Sequence, residues 1–158
     1  MPWKKKARRE VAPAEYVRRR RELSALMDED CIAVVPGAKP KIRNGDVEYP
    51  FRQNSDFRYL TGFDEPDAVF VLIPGREHGE ALLFCRERDN EHERWHGHIT
   101  GPERAMQFFG MDDAFPISDI GDILPGLMEG QSKLYYSMGV DRDFDTQVID
   151  WAKKISQS

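Results

Sequence analysis

The sequence predicts a single α/β domain, a mixed β-sheet flanked by helices. Three observations lead there. Helix-like and strand-like stretches alternate along the chain, which is the pattern of layered sheet-and-helix packing. The strand candidates are short apolar runs, "CIAVV", "AVFVLI" and "ALLFC", as expected of buried strands. A chain of 158 residues suits one domain with a real core, and no internal repeat or low-complexity segment divides it.

Each element has its own justification. Residues Pro13 to Met27 read as a helix, with Tyr16, Leu23, Leu26 and Met27 as a partial apolar stripe. Cys31 to Val35 reads as a strand that stops at Pro36-Gly37. Residues 38–48 are polar, and Asn44-Gly45 marks a tight turn. "NSDFRYLTG" offers Asn54 or Ser55 as a cap and Gly62 as a stop, so it predicts one or two helical turns. Within it Phe57, Leu60 and Phe63 are spaced to face the core, and Arg52 is placed to pair with Asp56. "AVFVLIP" and "EALLFCR" read as two strands, with a link short enough for an antiparallel pair. "GPERAMQFFG" has proline near its start and glycine at its end, the punctuation of a helix. "ISDIGDILPGLM" reads as helical with a break or kink at Pro125. "KLYYS" reads as a strand. The last helix is the clearest, because Phe144, Val148, Trp151, Ala152 and Ile155 share one face and an aspartate precedes it.

Composition narrows the setting. Apolar residues make up 40% of the chain and charged residues 32%, which suits a soluble globular protein. The longest apolar run, Ala68 to Ile73, is far too short to span a bilayer, and the N-terminus lacks the apolar core of a secretory signal. Cys31 and Cys85 each lie in a strand-like segment and read as buried thiols of a reduced compartment, so the expectation is cytoplasmic. The net charge of -5 hides an asymmetry: residues 1–21 hold nine Lys or Arg against Glu10 and Glu15. Such a cluster suits nucleic acid. No aromatic-rich RNA motif or recognition helix accompanies it, so the reading is a basic flexible tail, residues 1–12, followed by the solvated face of a helix. Neither a nucleic acid nor a membrane is an expected partner.

One motif points toward metal chemistry. His92, Glu93 and His96 form H-E-x-x-H, which on a continuous helix grips zinc with two imidazoles and supplies a general base. Here Gly97 follows at once, the segment has almost no apolar face, and no third ligand stands in a recognisable motif. The reading is an exposed polar connector, with no metal site. Trp95 is its one large apolar side chain, suited to pack over the core or to meet a partner surface. The run "DEPD", Asp64 to Asp67, reads as a turn before a strand in preference to a cation cluster. No phosphate loop and no G-x-S-x-G elbow occurs.

The stretch "EYPFRQNSDFRYLTGFDEPDAVFVLIPG", Glu48 to Gly75, carries a resemblance. It resembles the amino-terminal domain of Xaa-Pro aminopeptidase (aminopeptidase P), of the creatinase and prolidase superfamily. The shared pattern runs through Tyr49, Pro50, Phe51, Arg52, Gln53, Asn54, Ser55, Asp56, Phe57, Tyr59, Thr61, Gly62, Phe63, Glu65, Pro66 and Ala68. "LLFCRERD", "RWHG" and "YVRRRRELSALM" continue it, so that residues 13–158 resemble one such domain. The resemblance implies that a catalytic domain of pita-bread fold lies outside these 158 residues. There two manganese ions, held by two Asp, one His and two Glu, would activate water against the bond preceding proline. No catalytic residue, metal ligand or cofactor of that set transfers to this chain. The implied role is an accessory domain of a metallo-aminopeptidase that removes the N-terminal residue before proline. It would shape substrate access and subunit assembly, as a homo-oligomer, and be inactive alone. Trp95 matches a family tryptophan on a loop that reaches a substrate pocket, so it is the expected substrate-binding residue. The alternative is a non-catalytic peptide- or protein-binding module of the same superfamily.

Overall fold

In the computed structural model, residues 11–40, 51–88 and 98–156 are described. Helix α1 spans Pro13–Leu26, strand β1 Cys31–Pro36 and helix α2 Ser55–Thr61. Strands β2 (Val69–Leu72) and β3 (Ala81–Cys85) follow, then helix α3 (Pro102–Phe109) and strand β4 (Asp113–Pro116). A 3-10 turn at Ile117–Asp119 leads into helix α4 (Ile120–Met128), strand β5 (Lys133–Tyr136) and helix α5 (Arg142–Ser156). The strands form one sheet in the order β4-β3-β2-β1-β5. β2 runs antiparallel to β1 and β3, while β4 is parallel to β3 and β5 to β1. The predicted mixed sheet flanked by helices is therefore the observed fold.

Both faces of the sheet are covered, which is why the central strands read as unbroken apolar runs. Side chains alternate between faces along each strand. Ala33, Phe70, Leu72, Leu83 and Cys85 pack with Phe57, Leu60 and Phe63 of the α2 region and Ala105 of α3. Ile32, Val34, Val71, Leu82 and Phe84 pack instead with Leu124 of α4 and Phe144 and Val148 of α5. The α5 stripe is the predicted one. Asp141 caps this helix, its Oδ1 accepting from the Phe144 N–H at 3.1 Å.

Charge at a helix terminus fixes the first face. Arg20, only 3% exposed, lies in α1. Its Nη1 donates to the Leu60 carbonyl at 3.0 Å, and its Nη2 to the carbonyls of Phe109 and Gly110 at 3.0 and 3.1 Å. These are carbonyls at the C-terminal ends of α2 and α3, groups a helix leaves without internal donors and where a cation is favoured. One guanidinium thus ties three helices together.

Several expectations need correction. Leu26 is not in the α1 stripe; it is 84% exposed, at the turn where the helix runs past the core. Asn54 occupies the N-cap position of α2 but makes no side-chain cap hydrogen bond; its Nδ2 donates to the Pro36 carbonyl at 3.3 Å. Arg52 and Asp56 are both exposed and make no ion pair with each other. Strand β4 was not expected: "DAFP" holds few strand-favouring residues, and its register comes from outside itself. Asp112 supplies it, accepting from Ala81 N–H at Oδ2 and donating its own N–H to the Ala81 carbonyl. The Asn44-Gly45 turn lies outside the described residues.

Candidate functional site

The topology gathers the loops that matter at one end of the sheet. β1, β3, β4 and β5 all point the same way, and β2 begins where they end. The carboxyl end of an open α/β sheet is where such folds present binding loops. Here that end carries the chain after Pro36, the chain before Val69 and the chain after Cys85.

Two side chains, Gln53, which is buried, and Glu65, which is half-buried, hold these loops in place. Gln53 accepts at Oε1 from the N–H groups of Ala38 (2.7 Å) and Asn54 (3.1 Å). Its Nε2 donates to the carbonyls of Phe63 (3.1 Å) and Glu65 (3.0 Å). The Glu65 carboxylate then accepts from the Thr100 N–H at 3.1 Å and from the Thr100 hydroxyl. Arg86 Nη2 approaches the same carboxylate at 3.5 Å. Gly37 N–H adds a bond to the Ala68 carbonyl at 2.7 Å, and Asp67 N–H one to Ala38 at 3.2 Å. The backbone at Asp67 has φ +56°, a left-handed turn that an aspartate tolerates better than most residues.

Beside this end, a cavity of about 180 Å³ opens between Gly37, Lys39, Ala68, Ile117 and Phe144. Lys39 and Asp141 pair across its rim at 3.3 Å. On the first face a wider groove of about 540 Å³ runs between α1, α2 and β5, lined in part by Leu23, Leu26, Tyr59 and Tyr135. Arg19 stacks over the Tyr59 ring at 4.3 Å and pairs with Glu15, which holds the ring at the groove mouth.

The sequence-predicted site residues fall as follows. Trp95, with His92, Glu93 and His96, lies outside the described residues. The "DEPD" run is a turn before β2, as read; Glu65 within it is committed to Thr100 and Arg86. Among the described residues no three His, Cys, Asp or Glu side chains are grouped to hold a metal ion. Both cysteines are buried and free. Burial, with the Glu65 carboxylate adding to it, pushes the Cys85 thiol up to about 12. Sequence reasoning missed Gln53, Glu65 and Thr100 as a unit. No local signal marked Gln53 or Thr100, because their partners lie 10 to 35 residues away along the chain.

The class these features define is an α/β domain of mixed sheet whose carboxyl-end loops are fastened by a polar staple. The chain belongs to the family described as "Aminopeptidase P, N-terminal domain", which matches residues 16–136. It is 40% identical over 131 residues to Xaa-Pro aminopeptidase of Escherichia coli strain K12, covering 82% of this chain and 30% of the relative. It is 32% identical to the enzyme of that name from Haemophilus influenzae, covering 90% of this chain and 36% of the relative. The fold superposes on the structure of Pseudomonas aeruginosa aminopeptidase PepP with a TM-score of 0.88 and 54% identity, over 93% of this chain and 33% of that one. Escherichia coli aminopeptidase P in complex with substrate, a Glu383Ala form, superposes with a TM-score of 0.85 at 37% identity, over 92% and 33% of the two chains. The chain thus spans about a third of the length of these relatives.

Proposed function

We propose that this chain is the accessory amino-terminal domain of a manganese-dependent Xaa-Pro aminopeptidase, shaping substrate access and subunit assembly without carrying the reacting groups. The observation that carries the reading is the stapled loop end of the sheet, from which Arg86–Arg88 lead toward Trp95 and His98–Thr100 return. In this reading Trp95 stacks on the flat proline ring of a peptide whose second residue is proline. The manganese ions and their ligands belong to the catalytic domain, and no step is assigned to a metal in this one. The groove beside Tyr59 and Tyr135 supports the assembly role, because contiguous exposed apolar surface of this kind marks a contact face. No helix among the described residues is long and apolar enough to cross a membrane.

The test uses the longer polypeptide. Trp95→Ala is expected to lower kcat/KM for an Xaa-Pro peptide at least about tenfold, or about 1.4 kcal/mol, with little change in the Tm of this domain. Full activity with a lowered Tm would make Trp95 an ordinary packing residue and remove the reading. The 158-residue chain alone, with or without manganese, is expected to show no cleavage; turnover abolished by His92→Ala would restore the zinc-peptidase reading.

A further inference from the structure

We propose that the cavity between the end of β1 and the start of α5 is a binding site for a free amino acid with a small branched or cyclic apolar side chain. Its place in the fold comes first. β1 and β5 are neighbours in the sheet and run parallel. The chain leaving β1 goes on to α2, which packs on the first face, and the chain leaving β5 goes on to α5, which packs on the second. Neighbouring parallel strands whose following helices lie on opposite faces leave a crevice outside their carboxyl ends. In open α/β sheets that crevice is where ligands bind. The cavity of about 180 Å³ lies there: Gly37 follows β1, and Asp141 and Phe144 stand at the start of α5.

The lining sets the ligand. Val69, Ile117, Ile120 and Phe144 supply apolar walls, and Lys39 and Asp141 place opposite charges at the rim. The Asp141 side chain is 13% exposed, and its two oxygens have different tasks. Oδ1 caps α5 through the Phe144 N–H, while Oδ2 is left to the Lys39 ammonium at 3.3 Å. The Lys39 side chain is 53% exposed, so the pair contributes little to stability and its members are open to new partners. A zwitterion meets both charges at once, its carboxylate facing Lys39 and its ammonium facing Asp141. Asp67, also on the lining, adds a second carboxylate, which favours a ligand that carries an ammonium over a plain carboxylic acid. Size selects the rest. The space equals that of roughly six water molecules, enough for valine or proline and too little for a large aromatic amino acid. The site uses no residue assigned to peptide binding above, so it stands or falls apart from the accessory-domain reading.

Titration of the 158-residue chain with L-valine and L-proline, followed by amide NMR spectra, tests the site. Shifts confined to Gly37, Lys39, Asp67 to Val69, Ile117, Ile120 and residues 141–147 are expected. They should saturate with a Kd of about 1 mM, the scale for a ligand of about eight non-hydrogen atoms. Valinamide and N-acetylvaline each lack one charge and are expected to bind at least about tenfold more weakly. Lys39→Met and Asp141→Asn are each expected to weaken valine about fivefold or more. Asparagine keeps an oxygen for the α5 cap, so the helix is retained. Gln147 is an exposed residue of α5 on the same lining, and Gln147→Trp should close the mouth and abolish binding with the Tm unchanged. Lys39→Met, at an exposed side chain, decides the matter even if Asp141→Asn unfolds. Valinamide binding as tightly as valine would mean that the cavity takes a peptide N-terminus, and would overturn the free amino acid as its ligand. The absence of saturable shifts up to about 20 mM ligand, or binding that Lys39→Met and Gln147→Trp both leave intact, would overturn the site altogether.

Discussion

Arg20 shows how a single side chain can contradict the run it sits in. It is one of four consecutive arginines, yet it is the buried residue of α1. Burial pulls its guanidinium below the ordinary arginine value, with Asp112 opposing. It stays charged because arginine scarcely deprotonates and because three carbonyls surround it. Arg20→Met keeps the apolar stem and removes the donors, leaving several buried carbonyls unpaired. The expected loss is about 2–4 kcal/mol of stability, read by urea unfolding. Arg20→Lys restores the charge but not the fork, and is expected to recover only part. Arg18→Met, which breaks exposed pairs with Glu15 and Glu22, is expected to cost little. The reading of this run as a solvated face is wrong at Arg20, although residue 20 lies four after Tyr16 and three before Leu23, on the apolar side of the helix. Its partners were not legible, because they lie 40 to 90 residues along the chain.

At the scale of elements, α2 is ended by Gly62, in the left-handed conformation at φ +67°. Two effects hold glycine there. A side chain at that φ is strained, and a Cβ would fall 2.5 Å from the Tyr16 ring of α1. Gly62→Ala is therefore expected to destabilise by about 1–3 kcal/mol, the sum of backbone strain and overpacking. The double variant separates them. With Tyr16→Ala the ring is gone, so Gly62→Ala should then cost only the backbone part, about 1 kcal/mol. An unchanged cost would show that Tyr16 swings away freely and that α1 and α2 are not locked here. This terminus was legible, since glycine after a short apolar-spaced run is a stop signal. The neighbouring elements explain where legibility ends. The α5 stripe is a local period and was read correctly, whereas β4 owes its place to Asp112 and Ala81, a long-range pairing that leaves no periodic trace. The side chain of Asn54 at the N-cap makes no cap bond and reaches instead to the Pro36 carbonyl at the end of β1, another contact with no local trace in the sequence.

For the whole molecule, covering both faces of the sheet shuts titratable groups into the interior, and this sets a limit on the alkaline side. Cys85 lies on the first face, fully buried beside the Glu65 carboxylate. Its thiol is pushed up to about 12 from an ordinary 9.0, by burial first and Glu65 second, with Arg86 opposing. Tyr136, on the opposite face, is raised for the same first reason, and its hydroxyl donates to Asp145 at 2.6 Å. In both cases the fold favours the protonated form. The unfolded chain loses these protons at lower pH than the folded one, so stability falls as pH rises through that interval. The contribution from Cys85 is whole below pH 9 and is lost between 9 and about 12. Urea unfolding from pH 7 to 11 should therefore show a plateau and then a decline. Cys85→Ala lowers the plateau, because a buried sulfur is lost, but it is expected to flatten the decline; Cys85→Ala with Tyr136→Phe should flatten it further. A decline of unchanged slope in both variants would place the alkaline limit elsewhere in the molecule. The thiol also supplies an independent check. Ellman's reagent at pH 8 should find neither Cys31 nor Cys85 in the folded protein and both in urea. Rapid labelling of Cys85 without denaturant would mean that the first face opens readily, and the staple at Glu65, one strand end away, would then be resting on a mobile sheet.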